Sequence, residues 1–308
     1  MSLIRVEDLA YIRFCAPDLD AMESFLDDFG FVVASRTDEA LHVRGTGTAP
    51  FAHVTVRGEA GFDGLAFRAA SVEDLHVLAA AEGVPIEALS APGGGFVVKL
   101  RDPDGFVIEV VAGQALSPPL PVAVREATND ARHAPRANEP KRIAAGPSQV
   151  RRLGHCVLNV TDFRASEKWY KDRFGLLTSD EIYVGDPSMV IGAFTRCDRG
   201  EVATDHHTLF LLGTGTPKFN HVAFEVTDMD DLMAGNAHLL AKGRDHEWGV
   251  GRHFLGSQIF DYWRDPWGHT VEHWTDGDLF AASWGSRQAP LETLIGVQWG
   301  PAMPPTMG

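Results

Sequence analysis

Cysteine is scarce: Cys15, Cys156 and Cys197 are all that 308 residues contain. An odd, widely spaced set builds neither a disulfide framework nor a zinc-binding pattern, and fits a reducing cytoplasm. No run of about 18 apolar residues offers a membrane span, and Met1-Ser2-Leu3-Ile4-Arg5 starts no signal peptide. Basic charge is also short, with 27 Lys and Arg against 42 Asp and Glu, a net charge of −15. That balance argues against nucleic acid or an anionic membrane surface as partner. Tryptophan is missing from the first half: all 7 lie beyond residue 150, and most of the 13 His do too. The chemistry is expected in the second half.

What is present is an ordinary globular composition, 44% apolar and 22% charged. The length suggests two domains of roughly 100–150 residues each. Leu9–Cys15 reads as a strand. Pro17-Asp18-Leu19-Asp20 starts a helix, carried by Met22, Phe25, Leu26 and Phe29 on one face and stopped by Gly30. Short β-prone runs follow at Phe31–Ser35, Ala40–Arg44 and Ala52–Arg57. The order then recurs, with a strand at Gly64–Ala69, a helix at Val72–Ala81, and strands at Phe96–Leu100 and Phe106–Val111.

The second half repeats this order. Leu153–Val160 is a strand, Ala165–Phe174 the body of a helix, Phe219–Val226 a strand and Met229–Leu240 a helix. Three echoes support a duplication. Asp102-Pro103-x-Gly105-x-x-x-Glu109 matches Asp265-Pro266-x-Gly268-x-x-x-Glu272. Leu65-Ala66-Phe67 matches Val222-Ala223-Phe224, and Phe29-Gly30-Phe31 matches Phe174-Gly175-Leu176. The expected fold is α+β, built of repeated βαβββ modules, two per domain, each domain curled into a partly closed mixed sheet. Residues 1–113 form the first domain and 150–285 the second. Residues 114–149, rich in Pro and small residues, join them as a surface-packed linker. Residues 286–308 form a tail, either irregular or a clasp onto a neighbour.

Residues 251–274 organise the second half. Gln258–Arg264 is rich in β-formers, Asp265-Pro266-Trp267-Gly268 is a turn tetrad, and His269–Trp274 is a second β-prone run. Alternation puts Thr270, Glu272 and Trp274 on one face. A carboxylate in such a run needs a partner, because burying it alone costs several kcal/mol. If equivalent strand positions converge on one cavity, His155 and His221 join Glu272 there. Two imidazoles and a carboxylate with one face open suit a non-haem Fe(II) oxygenase. The first half aligns Tyr11, Gly64 and Glu109 with these positions, so it keeps the carboxylate alone.

The stretch of Gly251, His253, Tyr262, Asp265, Pro266, Gly268 and Glu272 closely resembles the signature of the type I extradiol ring-cleavage dioxygenases, within the vicinal oxygen chelate superfamily. One position departs: Asp261 stands where that family prefers an apolar residue. The resemblance implies a structural N-terminal domain and an iron-binding C-terminal one, with Fe(II) or Mn(II) as metal and O2 as co-substrate. It assigns His155, His221 and Glu272 as ligands, His207 as acid–base residue, and His253 and Tyr262 as contacts to the substrate hydroxyls. His206 is then expected as its outward neighbour, at the surface or in a subunit contact. Trp248 and Phe254 are candidate substrate contacts, and the absence of an Arg just before Gly251 favours an uncharged, hydrophobically substituted catechol or a larger aryl diol. A homo-oligomer is implied. The competing readings are another metalloenzyme of the same superfamily, such as a glyoxalase-like isomerase or a keto-acid dioxygenase, and a non-catalytic aromatic- or metal-binding protein, distinguished by site residues rather than by fold.

Overall fold

The computed structural model describes residues 2–123 and 127–305. Linker residues 124–126 and tail residues 306–308 lie outside the described residues. Two mixed sheets carry the chain, one of eight strands and one of ten, with a short two-stranded ladder beside them.

In the first half a strand at Val6–Ala16, a helix at Leu19–Phe29 and strands at Val32–Arg36, Ala40–Arg44 and His53–Arg57 form one βαβββ module. Gly61–Ala69, the helix Val72–Glu82, and strands Ile86–Ala88, Phe96–Arg101 and Val107–Ala112 form the next. The second half gives Arg152–Val160, helix Phe163–Phe174, Leu177–Tyr183, Val190–Arg196 and Leu209–Gly213. Then come Lys218–Glu225, helix Met229–Ala241, Asp245–His253, Ile259–Arg264 and Thr270–Thr275. Four such modules are therefore present among the described residues. Strands 177–183, 190–196 and 245–253 were not anticipated from the sequence.

The local signals act as their chemistry requires. Asp18 caps the first helix, accepting from the N–H groups of Asp20 and Ala21, and Gly30 closes it at φ 105°. Asp162 caps the corresponding helix of the second half through the Ala165 N–H. The two Asp-Pro-x-Gly turns share one device. Asp102 Oδ1 accepts from the N–H groups of Asp104 and Phe106, and Asp265 Oδ1 from those of Trp267 and His269.

Both sheets have the same central ladder. Arg152–Val160 runs antiparallel to Lys218–Glu225, which pairs in parallel with Thr270–Thr275. Val6–Ala16, Gly61–Ala69 and Val107–Ala112 repeat this arrangement. The halves pack closely. His273 lies with its ring centroid 3.7 Å from that of Phe29 and donates to the Phe29 carbonyl oxygen. Tyr170 donates to Asp102 at 2.9 Å, and Asp28 accepts from Arg244.

The tail departs from expectation. It folds as a strand at Arg287–Pro290, a short helix at Leu291–Ile295 and a strand at Val297–Trp299. The outer two strands join opposite edges of the ten-stranded sheet, so the tail binds its own chain. Leu291, Leu294 and Ile295 recur at helical spacing and give it an apolar side to cover the sheet.

Candidate active site

Three strands bring three side chains together. Ala223 pairs with His155 on one side and with Glu272 on the other, and His221 lies two residues earlier on that same central strand. Period-2 alternation points His221 to the face that carries His155 and Glu272. His155 Nε2 is 3.2 Å from Glu272 Oε2, His221 Nε2 is 3.5 Å from it, and one donor atom from each residue lies within 4.8 Å of the others.

The donor set fits a divalent cation. Glu272 is fully buried, and its polar neighbours are the His155 and His221 imidazoles and the Tyr262 phenol rather than a Lys or Arg. Burial drives this carboxyl well above the usual carboxylate range. A buried carboxylate left so is costly, and a bound cation removes that cost. Burial also pushes the His155 imidazole down to about 3 and, with His155 beside it, holds His221 well below its ordinary value. Both rings are thus neutral, the form that ligates a metal. His221 Nδ1 lies 2.8 Å from Asn220 Oδ1, and donating there leaves Nε2 free to ligate. Gly154 is required next to His155: a Cβ there would come within 2.4 Å of Trp274 Nε1.

A cavity of ≈ 340 Å³ opens onto His155 and His221. His207 lines it with its ring 4.0 Å from that of His155, and burial first, then the neighbouring imidazoles, keep it neutral. Tyr262 lies on the other side, 5.2 Å from the His221 ring, with its hydroxyl 3.0 Å from His253 Nε2. Burial holds the Tyr262 phenol protonated and pushes His253 down to about 3. Trp248 also lines the cavity, its indole N–H donating to the Pro301 carbonyl.

Two expectations are corrected. Phe254 is half exposed and absent from the cavity wall, packing instead beside Gly296. Alternation explains it, because His253 and Leu255 both face inward and the residue between them must face out. His206 is not outward: it is buried, 3.0 Å from His207 Nδ1 and 2.7 Å from Asp180 Oδ2. The departure at Asp261 is also accounted for. Its buried carboxylate accepts from Asn236, His246 and the Trp263 indole, tying the helix to the sheet behind Tyr262. Sequence reasoning missed the tail residues Leu291, Leu294, Ile295 and Met303, which wall the cavity.

Residues 152–273 match the Glyoxalase/Bleomycin resistance protein/Dioxygenase superfamily. The Mn(II)-bound glyoxalase of Novosphingobium aromaticivorans superposes with a TM-score of 0.78 at 25% identity, over 98% of this chain and 94% of that one. Similarity in sequence narrows the class. Metapyrocatechase 2 of Cupriavidus necator is 30% identical over 305 residues, 97% of this chain and 90% of the relative. An iron-dependent extradiol dioxygenase of Rhodococcus jostii (strain RHA1) is 26% identical over 94% of this chain and 88% of its own length. With that identity and coverage, the chain belongs to the type I extradiol ring-cleavage dioxygenases of this superfamily. It is a non-haem Fe(II) enzyme that inserts both atoms of O2 beside the vicinal hydroxyls of a catecholic ring and opens it; Mn(II) is the alternative metal.

Proposed function

We propose that the substrate is an uncharged catechol bearing an alkyl or aryl substituent, cleaved in the unit formed by residues 150–285, with 1–113 as its structural counterpart. The observation that carries this is the cavity wall. Beyond its histidines it is built from residues such as Ile191, Phe194, Phe210, Leu255, Leu294 and Met303, and among the described residues it includes no Lys, Arg, Asp or Glu. A carboxylated substituent would be desolvated there without a counter-charge, at a cost of several kcal/mol. An alkyl or aryl group gains ~25 cal/mol per Å² buried.

His155, His221 and Glu272 would hold the metal beside the cavity, where it would supply Lewis acidity towards a bound diol and dioxygen. His207, neutral and adjacent to His155, takes a proton from the substrate and returns it later, a role that needs a base with a free lone pair. Tyr262 and His253 form a hydrogen-bonded pair on the opposite side. His253 beside the hydroxyl region donates from Nε2 to the phenol oxygen, which leaves the single phenol proton for a substrate oxygen and orients the ring. The three free cysteines support a reducing cytoplasmic setting. No helix among the described residues is long and apolar enough to cross a membrane, and family resemblance supports a homo-oligomer.

The test is anaerobic reconstitution with Fe(II), followed by O2 and a panel of 3-methylcatechol, 2,3-dihydroxybiphenyl and a carboxylated catechol. Ring-fission absorbance and oxygen uptake are followed together. The expected result is a kcat/KM for the apolar diols at least ~10-fold above that for the carboxylated one. Preference for the carboxylated diol would overturn the substrate class. Metal bound without turnover on any diol would overturn these residue roles.

A further inference from the structure

Asp180, His206 and His207 form a buried line of hydrogen bonds that ends at the cavity. Asp180 comes from the strand Leu177–Tyr183, 26 residues before His206 in sequence. Its Oδ2 is 2.7 Å from His206 Nε2, and His206 Nδ1 is 3.0 Å from His207 Nδ1. The rings of His206 and His207 are 1% and 3% exposed, and Phe194 packs against both. The His206 backbone is held from two sides: its N–H donates to the Asp278 carbonyl, and its carbonyl accepts from the Ser179 hydroxyl.

A carboxylate can only accept, so His206 donates to Asp180 through Nε2. In this Nε2–H tautomer His206 has a lone pair on Nδ1, and the short contact requires His207 to donate through its own Nδ1. His207 lines the cavity with Nδ1 engaged, which leaves Nε2 as the nitrogen it turns towards the substrate. We propose that Asp180 and His206 are positioning residues that hold His207 in its Nδ1–H tautomer, with the Nε2 lone pair presented to the cavity. This rests on the reading of His207 as the proton-handling residue. A substrate proton arriving at Nε2 makes an imidazolium that keeps its Nδ1–H on His206, so no second proton has to leave. The carboxylate of Asp180, reached through His206, stabilises that cation. The opposite tautomer of His207, with its proton on Nε2, would leave no base in the cavity.

The two states are separated by nitrogen NMR of selectively labelled histidines in the Zn(II)-loaded protein, alongside kinetics of the Fe(II) enzyme on 3-methylcatechol. The relay predicts a protonated Nδ1 and an unprotonated Nε2 on His207 in the resting protein. His206→Leu should scramble that tautomer and lower kcat by ~10-fold or more, with KM changed less than about twofold, since removing partners that orient a functional imidazole typically costs 10–100-fold. His206→Gln restores both, because its amide oxygen can accept from His207 while its NH2 donates to Asp180. If His206→Leu does not fold, Asp180→Leu should show the same tautomer change and a smaller loss of kcat. A proton on Nε2 of His207 in the native protein, or a His206→Leu variant with unchanged tautomer or unchanged kcat, would overturn the relay. Undiminished kcat in His207→Ala would instead overturn the acid–base reading on which it rests.

Discussion

The two halves hold a buried glutamate at the same place in the same ladder and treat it in opposite ways. In the first half Tyr11 pairs with Ala66 and Ala66 with Glu109; in the second His155 pairs with Ala223 and Ala223 with Glu272. Tyr11 donates its hydroxyl to Glu109 at 2.6 Å, and Arg13 stands 3.7 Å from the same oxygen. That carboxylate is satisfied by the chain itself. Glu272 has two neutral imidazoles and the Tyr262 phenol beside it, and no guanidinium. The third position differs in backbone as well as side chain. Gly64 has φ 138°, and a Cβ there would come within 2.4 Å of the Val107 carbonyl oxygen. The lesson is that this scaffold must neutralise a carboxylate at each of its centres. A phenol and a guanidinium satisfy Glu109 in the first half, while two histidines leave Glu272 to the metal we propose there.

The sharpest way to break the contrast is to remove a ligand. His155→Ala should lower oxygen-dependent turnover ~10³-fold or more, since the metal contributes several kcal/mol, while circular dichroism stays native. Acid tests the buried histidines outside the site. Burial, with smaller effects of Asp265, His269 and His42, brings His53 from 6.5 down to about 3. The unfolded chain therefore takes up this proton first, so stability is complete above about pH 6.5 and is lost as pH falls towards 3. His53→Phe should flatten that loss by a few kcal/mol, at ~1.4 kcal/mol per unit, in chemical denaturation at pH 7 and pH 4.5.

Grafting sharpens the comparison. Tyr11→His with Gly64→His should not create a second metal site, because the new side chain at 64 meets backbone, and a thermal melt should show a loss of ~2–4 kcal/mol. A dialysed double variant holding two metals per chain would contradict this. The smallest effect concerns the plug itself. Tyr11→Phe removes a buried donor and should cost ~1–3 kcal/mol in urea titration, with kcat unchanged.

Much of this was legible in the residues. The clustering of His155, His221 and Glu272, the duplication and the lone Glu109 of the first half follow from these residues and their counterparts, because strand alternation and a repeated turn carry register information within a short window. Phe254 was misplaced because the strand 245–253, which sets its direction, gave no clean period: Gly249 and Gly251 interrupt it. His206 was misread because Asp180, its partner, sits on the strand Leu177–Tyr183, where Ser179 and Asp180 are buried polar residues that defeat an apolar alternation. The tail's part in the cavity was readable in principle from Leu291, Leu294 and Ile295 at helical spacing. Nothing local, however, says which cavity that face would cover.

The central claim is that one half binds metal and the other does not. It is tested most directly by the Fe(II) content of the anaerobically loaded, desalted protein, measured for the native chain, Glu272→Gln and Glu109→Gln. The account predicts one ion per chain in the native protein and in Glu109→Gln, and none retained in Glu272→Gln. Two ions in the native chain, or loss of the ion in Glu109→Gln with retention in Glu272→Gln, would contradict it.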